Sequence, residues 1–255
     1  MNPKGFRRTS LQSWTASVSL AAAALVAILS VDFPARAQEK SPPASEFVKV
    51  REEFQELIND YLKKWKDASE AEREKLRRPD AKPFIARMWK LVEADPAAPG
   101  AADGLVWLSR EDYNSDHEKP LKLIRKHHLK SDKIGTVCDR LSWMDDGPAV
   151  LREIIEQNPS RSVQVNALYA LGDRLMSESP SESEMAFERI ARDYADETLY
   201  GEKAGELAKR SLYEIRSLAI GKTAPEIEGA DVDGKQFKLS DYRGKVVVID
   251  FWGDW

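Results

Sequence analysis

The chain has 255 residues, 32% charged, 42% hydrophobic and 9% aromatic, with a formal net charge of −4. That apolar content sustains one large or two modest folded domains and excludes an intrinsically disordered chain. The acidic balance excludes a nucleic-acid partner, because Lys4, Arg7, Arg8 and Arg36 face only Asp32 within residues 1–37 and leave the remainder more acidic still.

Residues 1–37 have the pattern of an export signal. A basic start is followed by an apolar run from Val18 to Val31, then by Ala35-Arg36-Ala37 ahead of Gln38. Small residues at those two alanine positions suit signal peptidase. The run is shorter than the roughly 18–20 residues of a bilayer span, so cleavage is expected rather than an uncleaved anchor. Arg7-Arg8-Thr9-Ser10-Leu11 resembles a twin-arginine signal, and no cysteine near the cut offers a lipid anchor. The expectation is a protein exported to the periplasm or cell envelope. It would touch a membrane only through this segment, and only if the segment is uncleaved. Residues 38–45 read as a short Pro-containing linker.

Helices follow. From Glu46 to Trp65 the apolar residues Phe47, Val50, Phe54, Leu57, Ile58, Tyr61, Leu62 and Trp65 recur three and four apart, which predicts one amphipathic helix. Further helices are expected near 83–94, 101–110, 119–129, 132–144, 148–158, 161–177, 182–194 and 199–218. Pro96, Pro148, Pro159 and Pro180 punctuate them, since proline suits a first helical turn and disfavours an interior.

An internal repeat runs through these helices. Met88, Leu91, Val92, Pro96, Leu105 and Leu108 match Leu151, Ile154, Ile155, Pro159, Leu168 and Leu171 at an offset of 63. After a three-residue slip, Leu121, Ile124, Gly135 and Leu141 match Phe187, Ile190, Gly201 and Leu207 at 66. The fold class expected for residues 46–218 is mainly α, a tetratricopeptide-like α-solenoid or a plain helical bundle. Such a domain would bind a protein partner.

Helicity should end near Leu218-Ala-Ile-Gly221, after which the pattern changes to period two. Asp233-Gly234 signals a hairpin turn with Gln236 to Leu239 as the return strand. Ser240-Asp241-Tyr242-Arg243-Gly244 turns into Lys245. Val246 to Phe251 then reads as a strand for burial on both faces.

Few residues offer chemistry. Cys138 is the only cysteine, so no internal disulfide forms, and the apolar spacing 134, 137/138, 141 assigns it to the inner face of a helix. Adjacent His127 and His128 point about 100° apart on a helix and cannot share one ion, while His117 is isolated among charges. Asp231-x-Asp233-Gly234 has a calcium-loop flavour but lacks the later bidentate glutamate, so a turn explains it. Lys63-Lys64 and Arg77-Arg78 read as solvated helix faces. No metal and no cofactor is expected.

The segments Gly221-Lys-Thr-Ala-Pro-Glu-Ile227, Asp231 to Lys245 and Val246 to Trp255 together resemble, in order, the opening of the TlpA-like/redoxin branch of the thioredoxin superfamily, the AhpC/TSA type. The resemblance implies that residues 221–255 are the first strands of a thioredoxin-like α/β domain. It also implies that chemistry belongs to a Cys-x-x-Cys pair following this last strand. There the helix N-terminus lowers the thiolate pKa from about 8.5 to about 7 or below. Trp252 and Trp255 match aromatic positions flanking that site but cannot exchange sulfur. No catalytic residue is therefore carried over to this chain. The Trp252-x-x-Trp255 approach resembles the disulfide reductases, with a peroxiredoxin-type antioxidant as the alternative. Three expectations follow from the resemblance. The chain as written is inactive, the position after Trp255 is one where a UGA codon would specify selenocysteine (a frameshift or nonsense mutation being the alternative), and the tail beyond Gly221 is disordered or prone to aggregate.

Overall fold

A computed structural model describes residues 42–112, 116, 118–250 and 253. The export-signal expectation for 1–37 lies outside the described residues, as do His117, Phe251, Trp252 and Trp255. The architecture is mainly α. The long helix α1 (Ala44–Asp67) is followed by one turn, α2 (Glu70–Arg73), then by α3 (Lys82–Ala94), α4 (Ala101–Glu111) and α5 (Lys119–His127). A 3-10 turn at Ile134–Val137 leads into α6 (Cys138–Ser142), α7 (Gly147–Gln157), α8 (Arg161–Leu175) and α9 (Pro180–Asp193). The two-residue strands β1 (Thr198–Leu199) and β2 (Glu202–Lys203) precede α10 (Ala204–Tyr213), which relaxes into a π-helical turn over Glu214–Leu218.

Proline sets the helix pairs. Pro83, Pro120, Pro148 and Pro180 stand in the first turn of α3, α5, α7 and α9, where the missing N–H costs nothing. The second helix of a pair starts differently: Ser160 caps α8 by accepting from the Val163 amide at 3.4 Å. Most packing is between helices close in the chain, α1 on α3 and α4, α3 on α4, α4 on α5, α7 on α8, α8 on α9 and α9 on α10, while α6 and the 3-10 turn before it also pack on α8. One continuous apolar cluster runs from Phe47 to Ile215. Helices α8 and α9 approach so closely at Gly172 that a Cβ there would stand 2.8 Å from the Phe187 ring. The buried Ser183 hydroxyl donates to the Gly172 carbonyl at 2.6 Å in the same contact.

The residues matched at offset 63 lie on α3 and α4 in one copy and on α7 and α8 in the other. Those matched at 66 relate α5 and α6 to the regions of α9 and α10. Met88, Val92, Leu105, Leu108, Leu121, Ile124 and Leu141 are buried, and so are their counterparts Leu151, Ile155, Leu168, Leu171, Phe187, Ile190 and Leu207. A polar chain ties the copies together. Buried Asn158, at the end of α7, donates its amide to the Leu129 and Ser131 carbonyls at 2.7 and 2.9 Å. The Gln164 amide donates to the Asn158 carbonyl at 2.8 Å, and the Tyr194 hydroxyl donates to Gln164 Oε1 at 2.8 Å.

Several sequence expectations are corrected. The helix expected over 132–144 is a 3-10 turn followed by the short α6, and α2 was not anticipated. Residues 199–203 form a hairpin rather than the start of a helix, because Tyr200 and Gly201 take the positive φ values of a two-residue turn, 52° and 84°. Beyond Gly221, order persists: β3 (Glu228–Ala230) pairs antiparallel with β4 (Gln236–Lys238), Gly229 opposite Phe237, and a 3-10 turn follows at Leu239–Tyr242. The strand expected over 246–251 is absent among the described residues. Residues 246–250 are irregular and exposed, Val246 at 97% and Val248 at 89%. No described strand lies alongside to take their amides, so nothing there holds a ladder.

The Asn158 junction makes a stability prediction. Replacing Asn158 with Ala removes the donor from the half-buried Leu129 and Ser131 and should cost about 1–3 kcal/mol. Tyr194→Phe should cost no more than about 0.5–1.5 kcal/mol. Urea unfolding midpoints of the two variants against the parent chain check the ranking.

Candidate functional site

The C-terminal segment is built from turns that need particular residues. The helical part ends at Leu218, where Ala219 is already extended, and a turn closed by the Lys222 amide on the Ala219 carbonyl at 3.0 Å follows, with Gly221 at a φ of 87°. The 231–235 turn is closed by backbone bonds from Asp231 to the Lys235 carbonyl and from Gly234 to the Asp231 carbonyl, both 2.9 Å. Asp231 Oδ1 also accepts from the Asp233 and Lys235 amides at 3.0 and 2.8 Å. Its carboxylate is thus spent inside the turn, and Gly234 adopts a φ of 80°. A second clasp joins Glu226, which accepts from the Ser240 amide at 2.9 Å, with a Leu239-to-Ile227 backbone bond of 2.9 Å. Hydrogen bonds from the Ser240 side chain and amide hold the Glu226 carboxyl below its ordinary range. This clasped hairpin leads to Lys245 and the exposed run Val246–Ile249.

The remaining candidates resolve as structural. Cys138 is 1% exposed, with its Sγ 3.6 Å from the Ile134 carbonyl. Burial, then the Asp139 charge, pushes the thiol pKa far up, so no thiolate forms at neutral pH. His128 is buried and its Nε2 stands 2.7 Å from the Pro96 carbonyl, linking α5 to the loop between α3 and α4. His127 is exposed on the neighbouring direction. Among the described residues no group of three or more His, Cys, Asp or Glu converges to hold a metal ion. Lys63 and Lys64 are exposed, and Arg78 reaches Glu111 at 3.6 Å.

One feature escaped the sequence reading. A cleft of 470 Å³ opens between α4, α6, α8 and the β1–β2 hairpin, lined by Arg110, Thr136, Asp139, Asn166 and Tyr200 among others. The Tyr200 ring meets Tyr169 edge-on, centroids 5.7 Å apart. Partial burial, then the field of Asp139, pushes its hydroxyl pKa up to about 12, so it stays protonated. The Tyr-Gly dipeptide was the available signal. Its helix-like surroundings concealed it.

Comparison with known proteins concerns the C-terminal segment. Residues 220–255 match the model of the AhpC/TSA family. The thiol-disulfide oxidoreductase ResA of Geobacillus thermodenitrificans is 45% identical over 42 residues, 16% of this chain and 24% of that protein. ResA of Geobacillus kaustophilus is 48% identical over 42 residues with the same coverage, and ResA of Bacillus subtilis 44% over 39 residues, 15% and 22%. The chain thus spans about a quarter of the length of these relatives. No solved structure matches. At this end of the chain the similarity is to the thioredoxin-like redoxins. Within that class, the segment is similar to the opening of thiol-disulfide oxidoreductases.

His128 supplies a pH prediction. Burial holds its imidazole below the ordinary pKa of about 6.5, only partly offset by the Pro96 carbonyl. The unfolded chain therefore takes up the proton first as pH falls. The stability contribution is complete above about pH 6.5 and is lost as pH drops through that value toward the folded-state pKa. Urea midpoints at pH 7.5 and pH 5 should fall further apart in the parent chain than in His128→Gln.

Proposed function

We propose that this chain is the helical and leading redoxin part of an exported thiol–disulfide oxidoreductase of the cell envelope. In this reading the helical domain docks a protein partner and carries the redoxin module to it. The observation that carries the proposal is the AhpC/TSA match over 220–255, reinforced by thiol-disulfide oxidoreductases over the same short span. Those relatives, together with Trp252-x-x-Trp255, favour a disulfide reductase over a peroxiredoxin. The basic–apolar–small pattern of residues 1–37 supports export. No helix of the described residues is long and apolar enough to cross a membrane.

The exchange reaction needs an attacking thiolate and a second sulfur to resolve the mixed disulfide. The 255 residues contain one cysteine, and it is sealed inside α6. The reactive pair is therefore not among these residues, which in this reading supply the sequence leading up to it. We read the helical domain as a tetratricopeptide-like α-solenoid. Neighbour-to-neighbour packing and the coincidence of repeated apolar positions with repeated helices support that reading. A second reading, a binding scaffold whose working part is the helical domain alone, draws on one observation: no described residue past Ile215 is buried.

Two measurements test the proposal. The 255-residue chain should reduce insulin no faster than dithiothreitol alone, and Cys138 should react with Ellman's reagent only after urea unfolding. A fusion of the chain to the remaining redoxin portion of the Geobacillus kaustophilus relative should accelerate insulin reduction at least tenfold. Turnover by the 255-residue chain itself, or a folded but inert fusion, overturns the proposal.

A further inference from the structure

We propose that the cleft between α4, α6, α8 and the β1–β2 hairpin is a binding site for a short, uncharged saccharide. The proposal stands apart from the redox reading and starts from the backbone at the cleft mouth. Tyr200 and Gly201 form the two-residue turn of the hairpin, with φ of 52° and 84°. Such a turn favours Asn, Asp or Gly at its first central position, and a bulky aromatic residue there is strained. Strain of that kind persists only where the surroundings hold it, and it clusters at ligand sites. Here an aromatic chain does the holding. The Tyr200 ring meets Tyr169 edge-on, centroids 5.7 Å apart, and Tyr169 meets the fully buried Phe187 in the same way at 5.4 Å. Tyr200 is nevertheless 65% exposed, so the turn fixes an aromatic surface in solvent rather than burying it.

The polar lining selects the ligand. Arg110 and Asp139 both line the cleft, they do not pair with each other, and neither has an ion-pair partner among the described residues. The Arg110 guanidinium reaches only the Thr136 carbonyl, at 3.5 Å. Asn166 donates its amide to the Ser162 carbonyl at 2.7 Å, which leaves its Oδ1 to accept from a ligand. The Thr136, Thr198 and Tyr200 hydroxyls have no partner among the described residues. One cation and one anion in the same cleft disfavour a ligand of either net charge. An apolar ligand would cut these groups off from water without replacing its hydrogen bonds. A sugar answers each feature. Its hydroxyls donate to Asp139 and to Asn166 Oδ1, and accept from Arg110 and the lining hydroxyls. Its weakly positive C–H face suits the negative face of an aromatic ring. At 470 Å³ the cleft lies within the roughly 300–1,000 Å³ of small-molecule sites. Exposed polar contacts exchange one hydrogen bond for another, so binding should be weak, in the millimolar range.

The test is a nuclear magnetic resonance titration of the isotope-labelled full chain with maltose, cellobiose and N,N′-diacetylchitobiose. At least one of these sugars should bind saturably and move the Gly135, Thr136 and Gly201 amides. Tyr200→Asn should weaken that binding at least tenfold while the urea midpoint holds or rises, because asparagine suits the positive φ of the turn. Tyr200→Phe, which keeps the ring, should stay within threefold of the parent chain. Asp139→Asn should weaken binding at least threefold. Silence towards all the sugars overturns the proposal, as do shifts confined to another groove, such as the one between α7, α8 and α9. Tighter binding of glycylglycine, choline or inorganic phosphate than of any sugar overturns it, and so does a Tyr200→Asn chain that binds like the parent. A urea midpoint that falls in Tyr200→Asn overturns it too, since the ring would then serve packing rather than a ligand.

Discussion

The helices from α3 to α10 bury apolar side chains against neighbouring helices, and that burial is what the rest of the structure depends on. A fully buried valine, leucine, isoleucine, methionine or phenylalanine contributes about 1.5–3 kcal/mol over its exposed state. Here such residues recur at corresponding places in α3, α4 and α5 and again in α7, α8 and α9. The contacts are short in sequence, so each helix finds its partner within a few tens of residues. What fixes the copies to one another is polar: Asn158 bridges the loop after α5, and Gln164 relays it to Tyr194. Apolar burial supplies most of the stabilisation and the amide chain sets the register.

The redoxin-like segment shows the opposite balance. Its hairpin is held by local devices: the Asp231 carboxylate inside its own turn, Gly234 at positive φ, and the clasp of Glu226 on Ser240. None of its described residues is buried, and the run Val246–Ile249 lies in solvent. Local hydrogen bonding can shape a hairpin of this length, but burial of a β-branched strand needs a sheet and covering helices. The two parts of the chain therefore differ in what stabilises them, and the similarity to thiol-disulfide oxidoreductases lies in the less buried part.

Chemistry here is decided by environment as much as by residue type. Cys138 has the sulfur that exchange would need, yet its surroundings keep it protonated and out of reach. His128 has the imidazole that a metal or a proton relay would need, yet its inner nitrogen is committed to the Pro96 carbonyl. Tyr200 is the reverse case. It lies at the mouth of a polar cleft because a hairpin turn forces its backbone into a left-handed conformation.

Much of this was legible in the sequence. The three-and-four spacing of Phe47, Val50 and Phe54, the first-turn prolines and the 63-residue offset all act within one helix or between adjacent ones, so local pattern suffices to reveal them. Asp233-Gly234 was legible for the same reason, since its turn needs only its own dihedrals. Composition also settled the single cysteine, and with it the absence of any internal disulfide. Only the tertiary structure decided that the stretch after Asp132 breaks into a 3-10 turn and a short helix, and that Tyr200-Gly201 turns a hairpin inside a helical pattern. It alone left Val246–Ile249 uncovered and Leu57, Leu62 and Trp65 of α1 exposed. Each of those outcomes depends on which surface, if any, lies opposite a given side chain, and that is a property of packed neighbours rather than of residue order.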